Sequence, residues 1–183
     1  EQFVCEWLNN NTDTWMRWRP EETACIEGMG LVDMNRVFVP TRAEADKCAW
    51  CTPGKISERF SDAVGNTFKC VTCPSGMIQD TLGATECAMC TAGQVPSLRQ
   101  DVCQFCAVGK YSTSRGMASC TDCPPTFTTS NPGSTDRSQC ICKEHYFLSL
   151  NNTQRCSPCP TGMICGQGSD ARGFTDLAYP VTP

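Results

Sequence analysis

The sequence is short of the residues that build a protein interior. Leu, Ile, Val and Phe together make 30 of 183 residues, about a sixth, which is below the roughly 20% at which a packed core becomes doubtful. Burial alone cannot then offset the conformational entropy of so long a chain. No apolar run approaches the ~18 residues a membrane span needs. There is one histidine, and the net charge is -4 with the cations scattered. That excludes the clustered Lys and Arg with which a protein neutralises nucleic-acid phosphates. No phosphate loop, paired-carboxylate motif or calcium loop is found, so the sequence implies no catalytic residue, no metal and no cofactor. No signal peptide is visible either. The chain opens Glu1-Gln2-Phe3-Val4-Cys5, which reads as a mature product or an excised fragment.

What the sequence has instead is cysteine, 17 residues of it, enough to signal a disulfide scaffold. Disulfides persist in oxidising compartments, so the expected location is extracellular or cell-surface. The cysteines come as doublets with a short period: Cys48/Cys51, Cys70/Cys73, Cys87/Cys90, Cys103/Cys106, Cys120/Cys123 and Cys156/Cys159, with Cys140/Cys142 one residue shorter. Three positions after the second cysteine stands Gly54, Gly76, Gly93, Gly109 or Gly162. Two further on stands Ile56, Ile78, Val95, Tyr111 or Ile164. A second glycine follows in mid-loop at Gly65, Gly83, Gly116 and Gly133. Two units depart from the pattern, with Thr126 and His145 at the glycine position.

Each unit is expected to form two short strands of three or four residues and no helix. The first glycine supplies positive φ, the apolar residue packs on the disulfide, and the second glycine turns the chain back. Units of about 17 residues cannot bury a core alone, so the array should behave as a quasi-one-dimensional rod. The fold class expected is small and disulfide-rich: an elongated tandem array of short β-hairpin modules with little regular secondary structure.

Residues 1 to 47 read as a separate N-terminal cap or docking segment. Within it, Leu31 to Val39 is expected to be a strand, and Thr41-Arg42-Ala43-Glu44 a capping box opening a short helix into Cys48. Residues 48 to 165 are the repeat array. Residues 166 to 183 hold no cysteine and read as an extended tail.

The unit Cys-x2-Gly-x-aromatic, a spacer of about nine residues, then Cys-x2-Cys, resembles the ephrin-receptor-like cysteine-rich repeat. Cys106-Ala-Val-Gly109-Lys-Tyr111-Ser-Thr-Ser-Arg-Gly116-Met-Ala-Ser-Cys120-Thr-Asp-Cys123 carries the resemblance most fully. It is also similar to the simplest module of tumour-necrosis-factor receptors. The resemblance covers about residues 48 to 165. It implies a ladder in which the last cysteine of one doublet pairs with the first of the next: Cys51–Cys70, Cys73–Cys87, Cys90–Cys103, Cys106–Cys120, Cys123–Cys140, Cys142–Cys156 and Cys159–Cys165. The other pairing is interlocked, such as Cys70–Cys87 with Cys73–Cys90, and spacing alone leaves both open. The ladder sets Cys5, Cys25 and Cys48 aside, and an odd total leaves one cysteine free or bonded to another chain.

The same residues admit other readings. Cys-x2-Cys pairs also suit zinc, but a continuous array is unlike discrete sets of four. Redox catalysis needs a lowered thiol pKa at a helix N-terminus, and these doublets join hairpins. His145 lacks a visible nucleophile and carboxylate around it. Asn10 and Asn151 head Asn-x-Thr signals for covalent glycans. Trp15, Arg17 and Trp18 form a possible interaction surface, since Arg stacks on Trp, or else a small local core. The function expected is a non-enzymatic structural or adhesive rod such as a stalk, matrix element or filament subunit. Its partners would be copies of itself or another extracellular protein, with no nucleic acid. A ligand-binding fragment of a receptor ectodomain is the alternative.

Overall fold

A computed structural model describes residues 24–149 and 155–171. Asn10, Trp15, Arg17, Trp18 and Asn151, and all of the tail beyond residue 171, lie outside the described residues.

Fourteen short strands form seven two-stranded antiparallel sheets among the described residues. They are β1 (Met29–Val32) with β2 (Lys47–Trp50), β3 (Lys55–Ser61) with β4 (Asn66–Thr72), and β5 (Met77–Ile78) with β6 (Ala88–Met89). Then come β7 (Gln94–Pro96) with β8 (Cys103–Phe105) and β9 (Lys110–Tyr111) with β10 (Thr121–Asp122). The last are β11 (Phe127–Thr129) with β12 (Cys140–Cys142) and β13 (Tyr146–Leu148) with β14 (Cys156–Pro158). Most strands have two or three residues; β3 and β4 have seven each.

Eight disulfides close these loops. Cys51 is bonded to Cys70, Cys73 to Cys87, Cys90 to Cys103 and Cys106 to Cys120. Cys123 is bonded to Cys140, Cys142 to Cys156 and Cys159 to Cys165. The eighth joins Cys25 to Cys48. Sixteen of the 17 cysteines are thereby paired, and Cys5 lies outside the described residues.

Cys25–Cys48 and the β1–β2 ladder join residues on both sides of residue 47. Two local expectations are corrected by the backbone. Leu31 to Val39 is not one strand. Asp33 Oδ1 accepts from the amides of Asn35 and Val37 at 2.9 and 2.8 Å, Arg36 takes φ 63, and the chain folds back so that Val32 bridges Phe38. Thr41 makes no side-chain cap, and Arg42–Glu44 is a single 3-10 turn that yields to β2. The capping box lies instead at Asp136 and Gln139, opening the 3-10 turn Arg137–Gln139.

The interior is mostly sulfur. Among the described residues, nine of the thirteen buried apolar ones are half-cystines: Cys25, Cys51, Cys73, Cys90, Cys106, Cys123, Cys142, Cys156 and Cys165. Phe127 packs against Cys123, Cys142 and Cys156, with Tyr111 and Tyr146 beside it. The other apolar positions differ from expectation. Ile56, Ile78 and Val95 are half-buried, and Ile164 is exposed. Full burial falls one residue later, at Ser57 and Ser112, and also at Thr129. Their hydroxyls have partners: Ser57 Oγ donates to Met29 O at 2.8 Å, and Thr129 Oγ1 accepts from the Gly109 amide at 3.0 Å. A buried hydroxyl is tolerable when so paired.

Arg42 fixes the long hairpin. It is buried, its Nε lies 2.6 Å from Asp62 Oδ2, and it donates to Gly65 O and Asn66 O at 3.0 and 3.1 Å. Desolvation works against the Asp62 carboxylate. The hydrogen bond from Arg42 and those from the amides of Val64 and Gly65 outweigh it and hold the carboxyl below the usual aspartate value. A depressed folded pKa contributes stability above the ordinary value that is lost as pH falls through the folded value. Arg42→Ala removes these charge-assisted hydrogen bonds from a buried position and is expected to destabilise the long hairpin. Amide exchange at residues 62 to 66 should quicken in the variant. The wild type should show the same quickening only on acidification below the usual aspartate range.

Candidate interaction surface

Successive hairpins are joined by a repeating set of backbone hydrogen bonds. The first glycine of a loop donates to the next loop, as Gly54 N to Gln79 O at 2.7 Å and Gly93 N to Ser112 O at 2.9 Å. Three residues on, a second amide does the same: Ser57 N to Ala84 O, Gln79 N to Gln100 O and Ser112 N to Ser134 O, at 2.8 to 3.0 Å. The mid-loop glycine reaches back, with Gly83 N to Cys51 O, Gly116 N to Cys90 O and Gly133 N to Cys106 O, at 2.8 to 2.9 Å. Each hairpin thus meets its neighbour with main chain, so the contact makes few demands on the side chains away from its glycines.

A further contact spans two units. A Cβ on Gly76 would lie 1.9 Å from Gly116 O, and one on Gly93 would lie 2.3 Å from Gly133 O. The array is therefore interlocked over three consecutive loops. His145 takes the first-glycine role with φ 69, and Gln100 stands in the mid-loop role with φ 56.

The side chain before the second cysteine of a doublet lies over the mid-loop glycine of the next loop. Trp50 covers Gly83, Met89 covers Gly116 and Phe105 covers Gly133, while Ile141 covers Gly168, which lies beyond Cys165. Sequence reasoning missed this pairing. Its signal is present, since an apolar residue in Cys-x-apolar-Cys is matched by a glycine some 27 to 33 residues later, and Thr72 is matched by Gln100. These side chains are only half covered. Trp50, Met89 and Phe105 are 46%, 51% and 67% exposed, and Leu98, Val102 and Val108 near Phe105 are exposed too. Exposed aromatic and aliphatic residues fixed on a rigid frame can bind another protein.

Among the described residues no three His, Cys, Asp or Glu side chains are grouped to hold a metal ion. The carboxylates with lowered pKa serve their own turns: Asp101 through its hydrogen bond with Ser97, and Asp136 through its bonds from Ser138. The described residues form open clefts: one, of about 310 Å³, includes Gly76, Ser97 and Gln100, and another, of about 430 Å³, includes Pro124, Phe127, Arg137 and Arg155. The disulfide-bonded cysteines are not thiolates, so they offer no zinc ligands. Among the described residues no helix is long and apolar enough to cross a membrane.

Comparison with known proteins agrees with this architecture. A family model described as tyrosine-protein kinase ephrin type A/B receptor-like matches residues 93–140. A 66-residue stretch, 36% of this chain, is 35% identical to cysteine repeat modular protein A of Toxoplasma gondii. The matched stretch is 2% of that relative's length. The chain thus carries cysteine-rich repeats, and its residues 93–140 are similar to the ephrin-receptor-like module.

Proposed function

We propose that this chain is a non-enzymatic extracellular module, a disulfide-laddered rod that serves as a spacer or adhesive element in a stalk, matrix or filament. One observation carries the reading: eight disulfides and a repeating main-chain lattice hold an array that has little other interior. Such a framework is suited to an oxidising compartment. Its units meet end to end, and end-to-end contacts that do not close generate filaments. Glycans at Asn10 and Asn151 would add bulk to its side, and Trp15, Arg17 and Trp18 would supply a contact element. A second reading, a ligand-binding fragment of a receptor ectodomain, draws on the exposed Leu98, Val102, Phe105 and Val108.

Sedimentation of the glycosylated, oxidised chain over a hundredfold concentration range separates the two. The spacer reading expects concentration-dependent linear oligomers, visible as threads by electron microscopy. Strictly monomeric particles at high concentration would overturn it. In that case Phe105→Ser is expected to weaken capture of a protein ligand without altering the hydrodynamic size.

A further inference from the structure

We propose that the disulfide ladder makes the array an inextensible tether, a chain segment that transmits tension without lengthening. This mechanical property goes beyond the spacer reading and does not require self-association, because it follows from the covalent path alone.

The argument starts from connectivity. Each disulfide bypasses the loop it closes, so tension entering at Cys25 crosses to Cys48, runs through Ala49 and Trp50 to Cys51, and crosses again to Cys70. The same alternation continues through Cys73–Cys87, Cys90–Cys103, Cys106–Cys120, Cys123–Cys140 and Cys142–Cys156 to Cys159–Cys165. Between bridges the path holds two residues of each doublet, or only Ile141 between Cys140 and Cys142. Every bridge already spans 5.4 to 5.9 Å between Cα atoms. The doublets are already parts of strands, and three peptide steps reach about 10 Å at most. Little slack therefore remains on the path, even if every hydrogen bond of the lattice breaks.

The interlocked pairing would behave otherwise. Bonds such as Cys70 to Cys87 and Cys73 to Cys90 would cross-link adjacent doublets and leave loop residues such as 52 to 69 on the tension path. The ladder instead places those residues on side branches that carry no force. They are thus free to vary, to bear glycans and to offer Leu98 to a partner while the chain is under load.

Single-molecule stretching of the full chain, with handles at its two ends, tests this. The oxidised protein is expected to show no step as long as a loop up to forces that break the handles. With dithiothreitol in the buffer, each exchange transfers two electrons to one bridge. The protein then has two thiols and the reagent becomes its cyclic disulfide. Releasing Cys106–Cys120, with a sequence separation of 14, should lengthen the chain by about 40 Å at ~3.5 Å per residue. Cys25–Cys48, with a separation of 23, should give the longest step, and Cys159–Cys165, with 6, the shortest. Cys106→Ser with Cys120→Ser should add one such step without reductant. Should that variant fail to fold, the wild-type series in reductant still decides. Loop-sized lengthening of the oxidised wild type, or reductive steps unrelated to the eight separations, would overturn the proposal, whether or not the chain self-associates.

Discussion

Gly76→Ala is expected to destabilise the array far more than Gly109→Ala, although both glycines have nearly the same backbone. Their φ angles are 85° and 87°. An alanine at either pays for the left-handed conformation, about 1–2 kcal/mol. The surroundings differ. A Cβ on Gly109 would meet only Thr128 Oγ1 at 3.6 Å, an ordinary contact. One on Gly76 would stand 1.9 Å from Gly116 O and 2.5 Å from Gly116 C. Those are backbone atoms held by the Gly116 N to Cys90 O hydrogen bond, so they cannot swing aside as the end of a side chain would. Displacing them adds a packing cost of a further 1–3 kcal/mol. Oxidative refolding from the reduced chain, with the native disulfide isomer quantified by chromatography, reads the difference. Gly109→Ala should refold with a modest loss. Gly76→Ala should give mostly scrambled isomers, because a misplaced turn loosens the frame that selects partners. Equal losses at the two positions would show that the contact across two loops contributes nothing.

The contrast also shows what could be read from the chain before its structure. The doublets and the glycine after most of them announce the hairpins, since a residue fixed at positive φ beside a disulfide is a local requirement that marks every repeat but the one with Thr126. His145 and Gln100 satisfy the same requirement without glycine, so the pattern there is weaker than the geometry. The first hairpin was hidden for another reason. Cys25 and Gly28 carry the same spacing as Cys51 and Gly54, but the insertion that turns at Asp33–Arg36 stretches the loop to a separation of 23. The contacts between Trp50 and Gly83, or Phe105 and Gly133, were out of reach because they join different repeats. Single-unit periodicity cannot show them. The apolar residue of the unit misled in the opposite sense. Ile164 fits the pattern and is exposed, because burial depends on neighbouring hairpins rather than on the residue type.

Complete reduction of the oxidised chain is expected to abolish the fold, and a chelator is expected to do nothing. Each bridge closing about 14 residues contributes about 3 kcal/mol by restricting the unfolded chain, so removing Cys106 and Cys120 as a serine pair should cost that much. Removing all eight bridges exceeds the 5–15 kcal/mol net stability typical of a domain. Nothing remains to compensate. Outside the half-cystines, the buried apolar residues are Leu31, Val32, Ala45 and Phe127, and the hairpins of two or three residues per strand are too short to persist alone. The hydrogen-bond lattice between hairpins cannot substitute for the bridges, because in the reduced chain water takes over each amide and carbonyl at small net loss. Amide exchange followed by mass spectrometry should therefore pass from protected to unprotected throughout residues 25 to 165 once a phosphine reductant is added. Thiol titration before reduction should find no more than one free thiol per chain, the one at Cys5. If the native chain instead titrates many thiols, or loses its protection on addition of a chelator, then the sulfurs hold a metal and the covalent frame is not what orders these loops.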